Sequence, residues 1–471
     1  MAAEAPMQAQ VRAPHVDETI TELRKLYGDR VSTAHAVREQ HGKDISYHKA
    51  HLPDAVVFAE SAEEVQKIVE LCARHKTPII AYGTGTSLEG HISAPNGGIS
   101  LDVSRMNKVL AVNEADLDVV VQPGVTRKQL NEYIRDTGLF FPIDPGADAS
   151  IGGMTSTRAS GTNAVRYGTM RENVLALQVV TADGRLMRLG RRSRKSSAGY
   201  DLVKLFIGSE GTLGVITEIT LRLYGIPESM AAATCAFESL EGAVNAVIQT
   251  IQSGIPVARI ELMDTETVAT VNNYSKLSLP SKNLLLLEFH GTEAGTKEQA
   301  EMVQAIAGEN GGGDFAWTGQ AEERTRMWQA RHDAAWAAKA ARPGWGMWAT
   351  DVCVPISRLA ECILETQKDV QKNGLYAPIV GHVGDGNFHL TMMVNPGDPT
   401  YLPRAEALND RLVARALELG GTCTGEHGVG LGKIKFLYEE HGEAVSLMRS
   451  IKKALDPDNI MNPGKIIGPG N

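Results

Sequence analysis

Cysteine is scarce in this chain of 471 residues, and its five copies lie far apart. None of Cys72, Cys235, Cys353, Cys362 and Cys423 belongs to a C-x-x-C pair, so the sequence gives no support to an iron–sulfur cluster or a zinc ribbon. A small, odd number of thiols is typical of a protein that works in a reducing compartment.

The sequence also lacks an excess of basic residues and a long apolar run. The net charge of −9 gives no reason to expect nucleic acid as a partner. No apolar stretch approaches the roughly 20 residues of a membrane-spanning helix, and the N-terminus has no signal-peptide core. We therefore expect no transmembrane segment and a cytoplasmic protein, or a mitochondrial-matrix protein where a presequence has been removed. Attachment to a membrane surface and formation of a homodimer stay open.

Two common nucleotide-binding motifs are missing although glycine is abundant. The segment YGTGTSLEG begins like a dinucleotide fingerprint, but Leu88 stands where G-x-G-x-x-G requires its third glycine. The segment HGVGLGKI fails as a Walker A motif, because His427 replaces the first glycine and Ile434 replaces the Ser or Thr. The sequence therefore argues against the ordinary Rossmann and P-loop interpretations.

Strand and helix patterns alternate from residue 55 onward. AVVFAE and TPIIAY are typical of short strands, and the segment between them is typical of a helix that begins at a Ser61–Glu64 capping box. Longer strands, such as VARIELMD and NLLLLEFHG, follow a break near Pro227. The alternation predicts a mixed α/β domain up to residue 226, a second domain over 227–424 and a terminal segment over 425–471.

Three segments rich in glycine and small hydroxyl residues lie in the first of these domains. They are GTGTS, DPGADASIGGMTSTRASGTNA and GSEGTLGVI. Glycines and small side chains let backbone N–H groups crowd around phosphate oxygens, although each segment alone could be a tight turn. Together the three segments indicate a long ligand with a pyrophosphate, such as FAD.

The segment HVGDGNFH raises the question of a metal site. Its Asp385-Gly386 pair predicts a two-residue hairpin turn, which would place His382 directly opposite His389 on one face. Such a pair could also stack on an exposed surface without a metal. Glu426, in the segment CTGEHGVG, offers a third ligand, and two imidazoles with one carboxylate are typical of an open divalent metal site. Zinc and manganese both suit this set.

The order of these motifs, with NPGKI near the C-terminus, resembles the FAD-linked oxidase family of the vanillyl-alcohol oxidase type. Within it, the pattern is similar to the branch of cytochrome-type D-lactate dehydrogenase, glycolate dehydrogenase large subunit and D-2-hydroxyglutarate dehydrogenase. The resemblance covers the chain from about residue 45. It implies an α+β fold: an N-terminal helical segment (1–48), a two-subdomain FAD-binding domain of the PCMH type (49–226), a substrate or cap domain on an antiparallel sheet with the metal site (227–424), and a C-terminal segment returning to the FAD domain (425–471).

The resemblance also implies which residues contact FAD. They are Gly83, Thr84, Gly85, Thr86, Ser87, Gly90, Pro145, Gly146, Ser150, Gly152, Gly153, Ser156, Gly161, Thr162, Glu210, Gly211, Gly214 and Ile216. Some relatives attach the flavin covalently through a histidine in the first loop. Thr86 stands at that place and His91 lies beyond it, so we expect noncovalent FAD.

Oxidation of a 2-hydroxy acid by flavin requires a carboxylate anchor, an acidified hydroxyl and a proton acceptor. We expect hydride to pass from Cα to flavin N5, with the divalent metal on His382, His389 and Glu426 polarising the hydroxyl. His427 is the candidate base. Arg331 is the candidate anchor for the substrate carboxylate, although it could also be a charge on a helix surface. Lys339 and Arg342 could meet a second carboxylate.

The sequence therefore predicts an FAD-dependent D-2-hydroxyacid dehydrogenase with D-lactate as the lead substrate. Electrons would pass to a cytochrome, a quinone or an electron-transfer flavoprotein. D-2-hydroxyglutarate and glycolate are alternative substrates. A non-redox FAD protein of the alkyl-glycerone-phosphate synthase type and a scaffold protein without cofactor are the alternatives from other classes.

Overall fold

A small mixed sheet opens the fold. The computed structural model describes residues 12–468, so residues 1–11 and 469–471 of the predicted terminal segments lie outside the described residues. The sheet has the order β1-β2-β4-β3, with β2, β3 and β4 parallel and β1 antiparallel to β2. Its strands are β1 (Val31–Ser32), β2 (Ala55–Phe58), β3 (Ile79–Tyr82) and β4 (Ile99–Asp102).

Three helices belong to this part of the fold: α1 (Val16–Tyr27), α2 (His35–Gln40) and α3 (Ala62–His75). Both α1 and α3 are amphipathic and bury one face, whereas α2 has no buried residue. The Ser61 side chain accepts a hydrogen bond from the Glu64 N–H, so α3 begins where the sequence predicts. The α3 residues Val65 and Ile68 are fully buried and lie in one apolar core with Leu101 of β4.

A five-stranded antiparallel sheet follows, in the order β5-β6-β10-β8-β9. Its strands are β5 (Val109–Asn113), β6 (Asp118–Val121), β8 (Val174–Thr181), β9 (Leu186–Gly190) and β10 (Gly214–Arg222), and a separate two-stranded pair joins β7 (Leu139–Phe140) to β11 (Tyr224–Gly225). The predicted hairpin with a turn at Asp183-Gly184 is confirmed, because β8 pairs with β9 through Val180 and Leu186. Short helices connect these strands: α4 (Arg127–Tyr133), α5 (Ile151–Thr157), α6 (Ala164–Tyr167), α7 (Met170–Asn173) and α8 (Leu202–Phe206).

The largest sheet is built after Gly225 and is antiparallel. Its path is β15-β12-β14-β13-β18-β19-β16, and β17 pairs with β19 beside that path. The strands are β12 (Ser229–Phe237), β13 (Val257–Met263), β14 (Asn283–Gly291), β15 (Gly312–Thr318), β16 (Gly346–Ala349), β17 (Val352–Cys353), β18 (Ile379–Gly381) and β19 (Asn387–Val394). The helices around it are α9 (Leu240–Gln252), α10 (Thr265–Ser275), α11 (Glu293–Glu309), α12 (Ala321–His332), α13 (Ala334–Ala341), α14 (Leu359–Asn373) and α15 (Tyr401–Glu418).

The C-terminal segment packs against the first half of the chain. It contains α16 (Ile434–His441) and α17 (Ala444–Leu455). Beyond α17, Met461 forms a parallel bridge with Ile79 at the end of β3. The Lys452 ammonium donates hydrogen bonds to the Thr212 and Met461 carbonyl oxygens and to Asp456. Buried polar contacts therefore fix the returning segment, while the domain boundaries named above stay predictions.

No helix in the described part of the chain is both long and apolar enough to cross a bilayer.

Candidate active site

One elongated cavity collects the glycine-rich loops. Of the residues predicted to contact FAD, all but Gly90, Ser150, Gly161 and Gly214 line it. Three of these four have local roles: the Gly90 N–H donates to Asp44, Ser150 caps α5 through the Gly153 N–H, and Gly161 packs against Asp144. The loops touch each other, since the Ser150 N–H donates to the Thr84 hydroxyl at 3.3 Å.

The walls of this part of the cavity have room for a flat, phosphate-bearing ligand. A Cβ added at Gly83 would lie 2.3 Å from the Ser150 Oγ, so the glycine allows these two loops to approach each other closely. At Gly146, in contrast, a Cβ would meet nothing within 4 Å, which leaves its backbone open to the cavity. Small residues and accessible backbone fit the requirements of FAD.

Two further residues of this cavity were missed by sequence reasoning. The buried Asn462 amide donates to the Glu210 and His91 carbonyl oxygens. The His91 ring lies 3.3 Å from a Glu210 carboxylate oxygen. Burial works against the His91 cation, but the Glu210 charge prevails and raises the pKa of His91 above its ordinary value.

The predicted metal ligands converge at the other end of the cavity. The Nε2 atoms of His382 and His389 lie 3.0 and 3.2 Å from the same Glu426 oxygen. The three ligand atoms lie within 4.8 Å of one another, which suits one shared divalent ion. All three side chains line the cavity.

The connection between β18 and β19, which brings His382 near His389, differs from the predicted two-residue hairpin. His389 pairs with Val380 rather than with His382, so the predicted register is wrong. A short 3₁₀ helix, Val383–Asp385, occupies the connection, and Gly386 closes it at φ +80°. His382 therefore lies just beyond the end of β18, and its ring turns edge-on toward His389 at 5.5 Å between centroids.

Hydrogen bonds set the direction of both imidazoles. His382 Nδ1 lies 2.7 Å from a Glu261 oxygen, and His389 Nδ1 lies 2.9 Å from the Thr350 carbonyl oxygen. Each contact leaves Nε2 facing Glu426. Burial disfavours the His382 cation, but Glu261 and Glu426 hold the pKa of His382 well above 6.5 in the absence of metal. A metal bound there would have to displace a proton.

His427 and Arg331, the predicted catalytic residues, lie beside the three ligands. The His427 ring stacks on His389 with 4.9 Å between centroids, and burial lowers the pKa of His427. A neutral imidazole is the form that can accept a proton. Arg331 on α12 donates from Nε to one Glu261 oxygen at 2.8 Å, and its Nη2 lies 2.8 Å from the same oxygen in an ion pair. Its Nη1 makes no hydrogen bond to the described residues.

Lys339 and Arg342 do not line the cavity. The Lys339 ammonium lies over the Trp336 ring, and the Arg342 guanidinium stacks on Tyr376 with 4.1 Å to the ring centre. Among the described cavity-lining residues, Arg331 is the only arginine or lysine.

A second cluster, Asp351 with His389 and His427, has similar spacing but different chemistry. One Asp351 oxygen already accepts the N–H groups of Glu426 and His427, both at 2.9 Å, and the other accepts from the Asn387 amide. Asp351 is therefore the anchor of the loop that carries Glu426 and His427.

Asp351 and Glu261 were both missed in the sequence because each is a single carboxylate within an apolar strand region.

The chain belongs to the FAD-linked oxidase family. The "FAD binding domain" family model matches residues 53–190, and the "FAD linked oxidases, C-terminal domain" model matches residues 226–466. The chain is therefore a flavoprotein of the oxidoreductase class with FAD as cofactor, as the motif order predicts.

Several curated proteins are similar along nearly the whole chain. A "Probable D-lactate dehydrogenase, mitochondrial" of Danio rerio is 51% identical, over 96% of this chain and 92% of its own length. A "D-lactate dehydrogenase [cytochrome], mitochondrial" of Arabidopsis thaliana is 48% identical, over 96% and 80%. The "Glycolate oxidase subunit GlcD" of Bacillus subtilis is 34% identical, over 88% and 89%.

Solved structures share the fold at low sequence identity. A p-cresol methylhydroxylase superposes with a TM-score of 0.79 at 20% identity, covering 96% of both chains. An alkyldihydroxyacetonephosphate synthase superposes with a TM-score of 0.74 at 22% identity, covering 98% of this chain and 87% of its own. The predicted α+β fold of the PCMH type is confirmed.

The Asp351 anchor predicts a pH-dependent loss of stability. Burial alone would raise the pKa of Asp351, but Lys433, His427 and His389 hold it well below 3.8. Because the pKa of Asp351 is lower in the folded chain than in the unfolded chain, the ionised carboxylate stabilises the fold fully at pH values above the unfolded pKa. This stabilisation is lost as the pH falls from 3.8 through the folded pKa. In metal-free protein, Asp351→Asn should lower the unfolding free energy by about 3 kcal/mol at pH 7.

Denaturant unfolding between pH 7 and pH 3 measures this difference. The gap between wild type and Asp351→Asn should narrow toward pH 3. Asp410→Asn is the matched control, because Asp410 pairs with Lys435 at the surface and should matter by less than about 1 kcal/mol. A gap of equal size at both ends of the pH range would contradict the role of the ionised Asp351.

Proposed function

We propose that the protein is an FAD-dependent dehydrogenase that oxidises a D-2-hydroxy acid, with D-lactate as the lead substrate, to the 2-keto acid. The observation that carries this proposal is the convergence of a His₂Glu set, Arg331 and His427 at one end of the cavity that the glycine loops line. A hydroxy acid presents a carboxylate and an adjacent hydroxyl, which are the groups that these residues suit. The relatives named D-lactate dehydrogenase support the same conclusion.

When bound, FAD supplies a two-electron acceptor for the hydride and a Zn²⁺ or Mn²⁺ ion supplies a Lewis acid for the hydroxyl. His382, His389 and Glu426 would hold the ion. Arg331 Nη1 binds the substrate carboxylate, since the other edge of the guanidinium is already fixed by Glu261. The His427 imidazole, which lines the cavity, accepts the hydroxyl proton.

The charge of the cavity favours a monocarboxylate. Arg331 is the only cationic arginine or lysine among its described lining residues, so a second carboxylate, as in D-2-hydroxyglutarate, finds no partner of that kind. Met347, Val380 and Ala335 line the cavity and offer apolar contact to a methyl group. Glycolate lacks that methyl group and is the nearer alternative.

Electrons would then leave the flavin for an external carrier. The five cysteines are free, so the chain offers no cysteine pair as a second redox centre. A cytochrome, a quinone or an electron-transfer flavoprotein are the candidate acceptors, and one relative carries "cytochrome" in its name. We propose that FAD is held noncovalently, since Thr86 offers no imidazole. A homodimer, a cytoplasmic or matrix location and attachment to a membrane surface stay predictions.

The synthase alternative has a weaker case. Its support is the shared fold with the alkyldihydroxyacetonephosphate synthase, and fold alone does not set the reaction. A metal-ligand set beside a guanidinium suits a hydroxy acid better than it suits an ether-forming reaction at a phosphorylated substrate.

A substrate panel tests the reaction. Under anaerobic conditions, D-lactate should bleach the visible flavin absorbance of the FAD-loaded protein, glycolate more slowly, and D-2-hydroxyglutarate least. L-lactate is the control and should leave the spectrum unchanged. If no D-2-hydroxy acid reduces the flavin, or if a phosphorylated substrate forms a flavin adduct without releasing electrons, the proposed reaction is wrong.

Metal analysis tests the ligand set. His382→Ala should remove most of the bound Zn or Mn, because one of three protein ligands is lost. His290→Ala is the control: His290 is a buried imidazole that contacts a glutamate, Glu288, at 2.8 Å, as His382 contacts Glu261, but it does not line the cavity. Elemental analysis of the purified proteins gives the ratio of ion to chain. An unchanged ratio in His382→Ala would refute the site.

The role of His427 predicts a kinetic defect without loss of either cofactor. His427→Gln should slow flavin reduction by roughly 10²–10⁴-fold, the usual contribution of a general base. Burial lowers the pKa of His427 below 6.5, so His427 should stay neutral between pH 8 and pH 6.5. The rate of flavin reduction in the wild type should therefore stay constant over this range. Stopped-flow reduction at matched FAD and metal content measures both effects. A wild-type rate in the variant would exclude His427 as the base.

A further inference from the structure

Glu261 connects two parts of the candidate site. It lies on β13, and its side chain is 1% exposed. One carboxylate oxygen lies 2.7 Å from His382 Nδ1. The other accepts a hydrogen bond from Arg331 Nε at 2.8 Å and lies 2.8 Å from Arg331 Nη2. A single buried carboxylate thus touches a metal ligand and the proposed substrate anchor at the same time.

We propose that Glu261 is a positioning residue that orients His382 for the metal and Arg331 for the substrate carboxylate. This inference rests on the proposed function, because it assigns Glu261 a task in metal and substrate binding beyond the stability of a buried ion pair. Glu261 itself does not line the cavity and touches neither reacting group.

The contact with His382 fixes the imidazole. A carboxylate at Nδ1 requires an N–H there, so Nε2 is the nitrogen left for a metal, and it faces Glu426 at 3.0 Å. Without metal, Nε2 holds a proton in its hydrogen bond to Glu426, and a bound ion would take the place of that proton. His389 obtains the same orientation from a backbone carbonyl oxygen, which any residue at position 350 would supply. The orientation of His382, in contrast, depends on one side chain.

The contact with Arg331 fixes the guanidinium. One edge of the group faces Glu261, through the Nε hydrogen bond and the Nη2 ion pair, so the remaining Nη1 keeps a defined direction. The negative charge between Arg331 and His382 also reduces the repulsion that a divalent ion would exert on the guanidinium.

A neighbouring strand provides a matched control. Glu288 on β14 is also buried and contacts His290 at 2.8 Å, Trp328 at 2.6 Å and Arg259 at 3.6 Å. It repeats the pattern of a carboxylate between an imidazole and a guanidinium, but outside the cavity. Replacing either glutamate disrupts a buried pair, and only the replacement of Glu261 should alter the site.

The experiment compares Glu261→Gln with Glu288→Gln in FAD-loaded protein. A glutamine at position 261 can accept a hydrogen bond from either His382 Nδ1 or the Arg331 guanidinium. It presents its NH₂ group, which cannot accept, to the other of these two groups. We expect Mn²⁺ affinity to fall by roughly 10–100-fold in Glu261→Gln, the usual effect of losing such a partner, and to stay unchanged in Glu288→Gln. At saturating Mn²⁺, Glu261→Gln should still raise the KM for D-lactate, because Arg331 loses its orientation. Thermal unfolding shows whether the two variants are destabilised alike.

Unchanged Mn²⁺ affinity in Glu261→Gln, or equal weakening in both variants, would overturn the inference. If the wild type binds no Mn²⁺, or if His382→Ala binds it as tightly as the wild type, the proposed metal site fails as well. If His382→Ala loses Mn²⁺ while Glu261→Gln keeps it, only the role of Glu261 fails.

A measurement on the wild type covers the case in which Glu261→Gln does not fold. Nitrogen-15 NMR of histidine-labelled, Zn²⁺-loaded protein should show His382 protonated at Nδ1, with that proton shifted strongly downfield by the carboxylate. Coordination of zinc through Nδ1 of His382 would refute the proposed orientation.

Discussion

The Asp351 carboxylate holds the loop on which the candidate site depends. One of its oxygens accepts the backbone N–H groups of Glu426 and His427, so a metal ligand and the proposed base take their positions from one side chain. The buried Lys433 ammonium lies 3.5 Å from the same oxygen and donates to the Asp351 carbonyl oxygen. A buried carboxylate is costly unless such partners surround it, and here they come from the loop that carries Glu426 and His427, from Lys433 and from Asn387 at the start of β19.

The same loop is fixed from the FAD side of the cavity. Glu210 accepts the N–H groups of Val429 and Gly430, at 2.7 and 2.8 Å, and itself lines the cavity at φ +53°. The Glu89 carbonyl oxygen accepts the N–H of Leu431. The loop therefore spans from the glycine-rich segments to the His₂Glu set. Glu210, which would contact FAD, thus holds the loop that carries the predicted metal ligand Glu426, so displacement of this loop would affect both parts of the site.

Sequence reasoning found the parts of this site that lie in local motifs. The glycine loops, the histidine pair and Glu426 could be named because turn chemistry and ligand type are visible within a few residues. The register of the histidine hairpin could not, since a 3₁₀ turn and a two-residue turn both suit Asp-Gly. Glu261 and Asp351 could not be found either, because a single carboxylate among apolar residues reveals its partners only after distant strands meet. Arg331 lines the cavity and its role as substrate anchor stays a prediction, while its contact with Glu261 was not foreseen.

The cavity lining should discriminate weakly between substrates that differ by a methyl group and strongly against substrates with a second carboxylate. A methyl group in an apolar pocket contributes about 1–3 kcal/mol, so with the proposed substrates the apolar lining at Met347 and Val380 would separate lactate from glycolate only modestly. A second carboxylate costs more, because its burial without a partner carries the desolvation penalty of a full charge. A site of this kind can be adapted between short hydroxy acids by changing one or two apolar contacts. Acceptance of a dicarboxylate would require a new cation in the lining, which is a larger change in the electrostatics of the cavity.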